Sequence, residues 1–235
     1  MRKVSVRMGM PISIDLPSVK GQKYFDALFA IGEEIDERFS PYKSNSELAK
    51  LWRGQIREKD ASKDMQAVIQ ACNDYEQITN GYFSPRYAGT FNPTGYVKGW
   101  AIQQMADYLD SHGIDTYLIN VAGDIVAKSK HGHSWDIVIA NPVNTAEPIA
   151  TIKLDNGAIA TSGNYERGTH IYDPHTKLPA DELASVTIIG PSIIPVDVYA
   201  TAVFAMSHEK GSEFMKKQRG FKAVFITKDG TVLAV

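Results

Sequence analysis

AIATSGNYERGTHIYDP, residues 158–174, is the stretch on which the reading of this chain turns. A segment that only fills a core alternates Val, Ile and Leu. Here small residues lead into Thr161, Ser162 and Gly163, then Glu166, Arg167 and His170, ahead of a turn at Asp173-Pro174. Hydroxyls, an amide, a guanidinium and an imidazole all need partners if they are buried. Gly163 and Gly168 would let backbone N–H groups approach a ligand closely, and such groups beside Ser or Thr hydroxyls suit a phosphate oxygen. On this stretch alone two readings stand: the wall of a binding site, and a polar hairpin bounded by turn residues.

On the N-terminal side of it, residues 117–121, 135–139 and 149–154 read as strands. On the C-terminal side, residues 185–190 read as a strand, Pro191 and Pro195 lead into a helix beginning at Val196 or Asp197, and residues 221–227 and 231–235 form a hairpin around Asp229-Gly230. The turn Asn120-Val121-Ala122-Gly123-Asp124 lacks the G-x-G-x-x-G pattern and no helix pattern follows it, which excludes a dinucleotide-binding βαβ unit.

Nearer the start, period-two alternation marks two half-buried strands that meet at Met8-Gly9. Residues 19–39 predict an amphipathic helix, with Tyr24, Leu28, Ile31 and Ile35 on one face and Glu33, Glu34, Asp36 and Glu37 on the other. It stops at Ser40-Pro41, presents Tyr42 on a short loop, and is followed by a helix opening with a capping box from Ser44 to Glu47. A third helix over 62–79 closes at Asn80-Gly81. Helices and strands interleave without regular βαβ alternation. The expected fold is therefore α+β, with mixed or antiparallel sheets, packed helices and one compact unit over 1–235.

Composition narrows the function classes. The chain has 235 residues, 43% hydrophobic and 22% charged, an ordinary globular balance. A formal net charge of −2, with Lys and Arg scattered, argues against a sequence-independent nucleic-acid binder. Cys72 stands alone among Val68, Ile69 and Tyr75, which excludes an internal disulfide framework and reads as a buried structural thiol. His131 and His133 flank Gly132 in a polar turn and read as loop residues, since the companion ligands of a zinc site are missing. The N-terminal segment has no apolar run of signal-peptide length and no window approaches a membrane span, so a cytoplasmic protein is expected, although a chain lacking a natural leader would look the same.

Two further places carry chemistry. A Gly- and Pro-rich passage over residues 81–101 runs into a helix beginning near Thr94, which puts Thr94 and Lys98 by its N-terminal turn, where anions are favoured. Lys98 reads either as part of an anion site or as a solvated surface lysine. Asp197 and Thr201 are one helical turn apart and share a face. Together they read as a hard-oxygen site for Mg2+, or Asp197 is simply a capping residue.

In order along nearly the whole chain, several pieces resemble the FAD:protein FMN transferase (ApbE) family, known in older usage as thiamine-biosynthesis lipoproteins. They are Met8-Gly9, Phe39-Ser40-Pro41-Tyr42, Ser46-Glu47-Leu48, Gly95-Tyr96-Val97-Lys98-Gly99-Trp100-Ala101, Asn120-Val121-Ala122-Gly123-Asp124-Ile125, Ala160-Thr161-Ser162-Gly163 through His170-Ile171-Tyr172-Asp173-Pro174, Ser185-Val186-Thr187, and the run from Asp197 to Thr201.

The resemblance implies transfer of FMN from FAD to a Thr or Ser hydroxyl of an acceptor protein, with Mg2+, forming a phosphoester and releasing AMP. It also implies roles. Tyr42 would stack on the isoalloxazine, and Met8 would contact the flavin or its neighbouring phosphates. Tyr82, Phe83, Ser84, Thr94, Lys98, Asn120, Gly123 and Asp124 would line the rest of the FAD pocket. Ser162 and Gly163 would form the pyrophosphate-facing wall beside His170, which would activate the acceptor hydroxyl, steady the phosphorus, or only contact the ligand. Asp197 and Thr201 would bind Mg2+ through side chains, with the carbonyls of Val97 and Ala200. The sequence departs from the family pattern at Asn92 and Ser84, each in place of a common Asp, and at Ala122 in place of the first glycine of Gly-Gly-Asp. Rival readings are an FAD pyrophosphatase, a non-catalytic flavin-binding module, and an unrelated α+β interaction protein.

Overall fold

A computed structural model describes residues 1–17, 21–86, 88–130, 132–144, 147–164, 168 and 171–235. The chain runs β1 (Arg2–Arg7), β2 (Met10–Asp15), α1 (Gln22–Phe39), α2 (Glu47–Trp52), α3 (Lys63–Ile78), α4 (Thr94–Ser111), β3 (Thr116–Val121), β4 (Asp124–Ser129), β5 (Trp135–Ile139), β6 (Ala150–Leu154), β7 (Gly157–Gly163), β8 (Leu183–Gly190), α5 (Ile193–Met206), α6 (His208–Lys216), β9 (Lys222–Thr227) and β10 (Val232–Ala234), with a short 3₁₀ turn at Glu58–Asp60.

Eight strands form one sheet in the order β1-β2-β3-β4-β7-β8-β9-β10, and every neighbouring pair is antiparallel. The ribbon β5-β6 is a separate antiparallel pair. This is the α+β class expected from the irregular interleaving.

Both faces of the central strands are covered, and the alternation shows how. Tyr117, Ile119, Val121, Val126, Ala158 and Ala160 point into the main core with the helices. Leu118, Ile125, Ala127 and Ile159, one residue out of phase, meet Ile137 and Leu154 of the β5-β6 ribbon. A central strand with two buried faces reads as a continuous apolar run. That is why β4, which follows a tight turn with no polar alternation, escapes a period-two reading of the sequence.

Helix α5 is buried almost throughout, from Ile193 and Val196 through Phe204 to Met206, and packs between the sheet and helices α4 and α6. An all-round apolar helix belongs in an interior. It starts earlier than the sequence suggests. Pro195 lies within its first turn, where a missing N–H costs nothing, and the N-cap position is Ser192. Asp197 is therefore an interior helical residue, and the capping alternative for it does not hold.

The capping box expected at Ser44 is also not what forms. The Ser46 hydroxyl accepts the Ala49 N–H at 3.0 Å and caps α2, while the Glu47 carboxylate accepts from both the N–H and the hydroxyl of Ser62, at 2.6 and 2.7 Å. Glu47 thus ties the start of α2 to the start of α3 instead of closing its own helix. Among the described residues no helix is long and apolar enough to cross a membrane.

Candidate active site at one end of the sheet

The register gathers the singled-out residues at one end of the sheet. The β1-β2 turn at Met8-Gly9 and the β3-β4 turn at Ala122-Gly123 are neighbours there, because β2 pairs with β3 from Ile12 opposite Val121. Strand β7 runs toward the same end, finishing at Ser162 and Gly163 opposite Val186 and Ser185. Both turns are two-residue hairpins with left-handed backbone: Met8 and Gly9 at φ 55° and 69°, Ala122 and Gly123 at φ 48° and 95°. Asn120 Oδ1 accepts the Gly123 N–H at 2.9 Å, and Pro11 O accepts the Ala122 N–H at 3.1 Å, so the second turn is fastened to the first.

The stretch 158–163 proves to be a central strand whose polar atoms have built-in partners. Thr161 Oγ1 lies 2.8 Å from Thr187 Oγ1, its register partner on β8. Ser162, on the opposite face, lies 3.4 Å from Thr201 Oγ1 of α5. Ala158, Ala160 and Ser162 are small because α5 crosses them closely, with the fully buried Ala200 and Ala202 in the contact helix. Residues 165–167, 169 and 170 lie outside the described residues, and with them His170, Glu166 and Arg167.

Above this strand stands the charged centre. Lys98 Nζ is 2.6 Å from Asp124 Oδ2 and 3.8 Å from Asp197 Oδ1. The two carboxylates are almost fully buried, and the lysine only partly so. The reading of Lys98 as a solvated surface lysine therefore does not hold. Gly99 N–H donates to Asp197 Oδ2 at 2.8 Å. A Cβ at Gly99 would stand 3.1 Å from both Cβ and Oδ2 of Asp197, so the glycine sets how closely α4 and α5 approach. Burial pushes the Asp197 carboxyl well above the usual carboxylate range. The Lys98 ammonium opposes that shift and neighbouring Asp124 adds to it.

The donor set fits a hard divalent cation shared with a phosphate ligand. Asp197 offers a buried carboxyl group whose Oδ1 lies 3.8 Å from the Lys98 ammonium and which also hydrogen-bonds Asp124. Thr201 lies one turn on along the same face, and Ser162 adjoins it. Among the described residues no group of three or more His, Cys, Asp or Glu side chains could hold a metal by itself. Val97 lies in the first turns of α4 and Ala200 in the interior of α5, both buried.

The remaining candidates frame this centre. Tyr42 is 94% exposed, an aromatic face offered to solvent on a loop braced by Lys43, which pairs with Asp36 and Glu37 of α1. Phe39, just before it, packs edge-on against Trp100 of α4. Phe83 is buried beneath Gly95, and the Ser84 hydroxyl donates to Glu76 at 2.7 Å. Asn92 Oδ1 accepts the Thr94 N–H at 3.1 Å, giving the first turn of α4 a side-chain partner. Met8 packs against the main core from its turn.

The sequence reading missed Lys210 and His175, and it named Thr187 only as part of a motif, without a role. Lys210 donates to the Tyr82 hydroxyl at 2.8 Å, the His175 ring packs edge-on to Tyr82 at 4.5 Å, and Thr187 partners Thr161. Lys210 and His175 lie in segments without a motif, and only tertiary packing brings them there. Cys72 is fully buried and its thiol is pushed up to about 12 by burial, an inert core residue as expected. His133 packs edge-on against Trp135, and His131 lies outside the described residues.

A groove of about 770 Å³ beside α1 and α2, lined by Glu33, Glu37, Glu47 and Asp60, lies away from this centre. Arg38 and Lys50 also line it, but its carboxylates outnumber them, a balance that suits a pyrophosphate poorly.

An eight-stranded antiparallel sheet packed with helices, carrying a buried Lys-Asp-Asp centre flanked by hydroxyls at one end, defines an α+β protein with a charged candidate site. The ApbE family model matches residues 8–94 and 88–225, and the chain belongs to the ApbE family.

Among proteins of known name, it is 36% identical over 127 residues to an FAD:protein FMN transferase of Vibrio cholerae, covering 49% of this chain and 38% of the relative. It is 27% identical over 207 residues to one of Klebsiella pneumoniae, covering 79% and 63%. The matches to the Vibrio cholerae protein and to an Escherichia coli relative of the same name span 38% and 41% of those proteins' lengths. Among solved structures, an ApbE protein from Thermotoga maritima superposes with a TM-score of 0.84 at 19% identity, over 99% of this chain and 96% of that one. The flavin transferase ApbE from Vibrio cholerae gives 0.80 at 22%, over 100% and 96%. The fold is shared with both.

Proposed function

We propose that the chain transfers FMN from FAD to a Thr or Ser hydroxyl of an acceptor protein. The observation that carries this is the buried Lys98-Asp124-Asp197 centre, set against the Ser162 and Thr201 hydroxyls at the end of the sheet. Tyr42 offers the exposed aromatic face that an isoalloxazine ring stacks on. The start of α4 and the Lys98 ammonium favour the pyrophosphate. The acceptor oxygen forms a bond to the FMN phosphorus as the bond from that phosphorus to the AMP oxygen breaks, and the hydroxyl proton passes to a base, a role the family resemblance gives to His170.

Asp197 and Thr201 are the residues that would hold Mg2+, and the cation when bound supplies charge neutralisation on the pyrophosphate. The family relation supports this reading, because relatives bear the transferase name.

The test is AMP release from FAD by purified protein with Mg2+, with and without an acceptor carrying a Thr in a flavinylation motif, followed by in-gel flavin fluorescence. A fluorescent acceptor band that is lost on Asp197→Ala supports the transferase. AMP without a labelled acceptor would turn the reading to a pyrophosphatase, and bound FAD without AMP would leave only a binding module.

A further inference from the structure

The end of α3 turns sharply into the passage that leads to α4. Asn80 and Gly81 take left-handed backbone, at φ 53° and 82°, and Thr79 Oγ1 accepts the Phe83 N–H at 3.0 Å. Phe83 lies beneath Gly95 in the first turn of α4, so Tyr82, one residue before it, stands near the helix start that favours the pyrophosphate. Two residues from distant parts of the chain hold Tyr82. Lys210 of α6 donates to its hydroxyl at 2.8 Å, and the His175 ring meets its ring edge-on with centroids 4.5 Å apart. His175 is fixed in turn. Its Nε2 donates to the Asn80 carbonyl at 3.0 Å, Asp173 Oδ1 accepts its backbone N–H at 2.8 Å, and a Cβ at Gly81 would stand 3.3 Å from its ring. The phenol oxygen of Tyr82 accepts from the ammonium, which leaves its own hydrogen to be donated.

We propose that Lys210 and His175 are positioning residues that set Tyr82 as the recognition surface for the adenine base, so that the site selects the dinucleotide over FMN. This rests on the reading of the site as an FAD site, and it names the part of the ligand that this rim takes. Tyr42 and Tyr82 belong to segments that reach α4 on different sides. Phe39 packs against Trp100 and Phe83 against Gly95, five residues apart and therefore about 140° around the helix. With the flavin on Tyr42 and the pyrophosphate at the helix start, the adenosine half extends toward Tyr82. The charge at the rim also favours a base over a phosphate. Glu182 Oε1 accepts the His208 N–H at 3.0 Å and so occupies the start of α6, and the Lys210 ammonium feels both Asp173 and Glu182. A neutral, planar group suits such a place, and an aromatic ring with a hydroxyl at its edge offers a purine both stacking and a hydrogen bond. Because Tyr82 is held at its hydroxyl and along its ring, it loses little freedom when the base arrives.

The experiment is equilibrium binding of FAD and of FMN, followed by flavin fluorescence, with AMP as a competitor against FAD. The chains are wild type, Lys210→Met, Lys210→Arg, His175→Ala, Tyr82→Phe and the double variant Tyr82→Phe with Lys210→Met. His175→Gln keeps a donor toward Asn80 and replaces His175→Ala should that chain not fold, with circular dichroism melts as the check. Lys210→Met and His175→Ala are expected to weaken FAD and AMP at least about fivefold and FMN less than about twofold, while Lys210→Arg stays within about twofold of wild type for all three. In the Tyr82→Phe background, Lys210→Met should add nothing further, because its effect passes through the hydroxyl. FAD and FMN weakened together would reduce both residues to braces of the fold and overturn the proposal. Unchanged FAD affinity in every variant, or a Lys210→Met loss that persists in full without the hydroxyl, would also overturn it; in these cases the FAD site itself stands. A wild-type chain that binds neither flavin would overturn the FAD reading and the proposal with it.

Discussion

At Ala122 the backbone takes φ 48° in a turn whose geometry favours glycine, and the residue has a Cβ. An L-residue in the left-handed region costs about 1–2 kcal/mol, offset in part by the smaller entropy it loses on folding. Ala122→Gly is therefore expected to stabilise the protein by roughly 0.5–1 kcal/mol, read as a rise in the denaturant midpoint at unchanged m-value. An unchanged or lowered midpoint would mean that the Pro11 and Asn120 hydrogen bonds have already absorbed the strain. At Asp197, replacement by Asn removes the charge but keeps the shape and the oxygen that accepts from Gly99. AMP release from FAD should fall at least about a hundredfold while the melting curve keeps a single folded transition.

Individual site residues were legible because their chemistry is unusual for their setting: an Asp and a Thr in an apolar helix, a Lys between glycines. Their gathering in one pocket was implied only by the family resemblance, and the direct contacts of Lys98 with both carboxylates were not legible. Asp124 and Lys98 lie on different elements, and only the antiparallel register of β3 and β4 beneath α4 brings them within 2.6 Å.

At the scale of the element, the contact of α4 with α5 decides the site. Gly99 lets the helices approach until its own N–H reaches Asp197. Gly99→Ala adds a methyl against Asp197 and against the Ile194 Cα, 3.3 Å away, and overpacking of this kind costs about 1–3 kcal/mol. Because the yielding atoms belong to the candidate metal ligand, the variant should also lose divalent-cation affinity. A stability loss with metal affinity intact would show that α5 shifts as a body and keeps its side chains in place.

Helices α1, α3 and α4 could be read from their period and their ends. The start of α5 could not, since Pro191 and Pro195 mask a first turn in which proline is tolerated. Helix α6 carries no motif, and it forms where Gly211 packs against Val203 and Phe225.

Over the whole molecule, burial sets the response to alkali. Burial pushes up the Cys72 thiol to about 12 from 9.0 and the Tyr96 hydroxyl to about 12 from 10.0, and raises Tyr75 and Tyr117 further. Each group keeps its proton in the folded state at a pH where the unfolded chain has lost it. The native state therefore binds more protons, and stability present below the unfolded values is lost as pH rises through the folded ones. Urea unfolding followed between pH 8 and 11 should show a falling free energy that begins near the unfolded thiol value of about 9. A flat profile would mean that these groups are hydrated in the native state.

The fold class was legible from the absence of βαβ alternation. The covering of the sheet by the β5-β6 ribbon was not, because the central strands show no polar face to mark it. The central claim is one of place: the sheet end at Lys98, Asp124, Ser162 and Asp197 receives the pyrophosphate of FAD. A crystal structure grown with FAD and Mg2+ tests it most directly. The account predicts the pyrophosphate within hydrogen-bond reach of Ser162 and Lys98, the isoalloxazine against Tyr42, and a cation on Asp197 and Thr201. FAD lodged elsewhere, with the Lys98-Asp197 pair undisturbed, would contradict it.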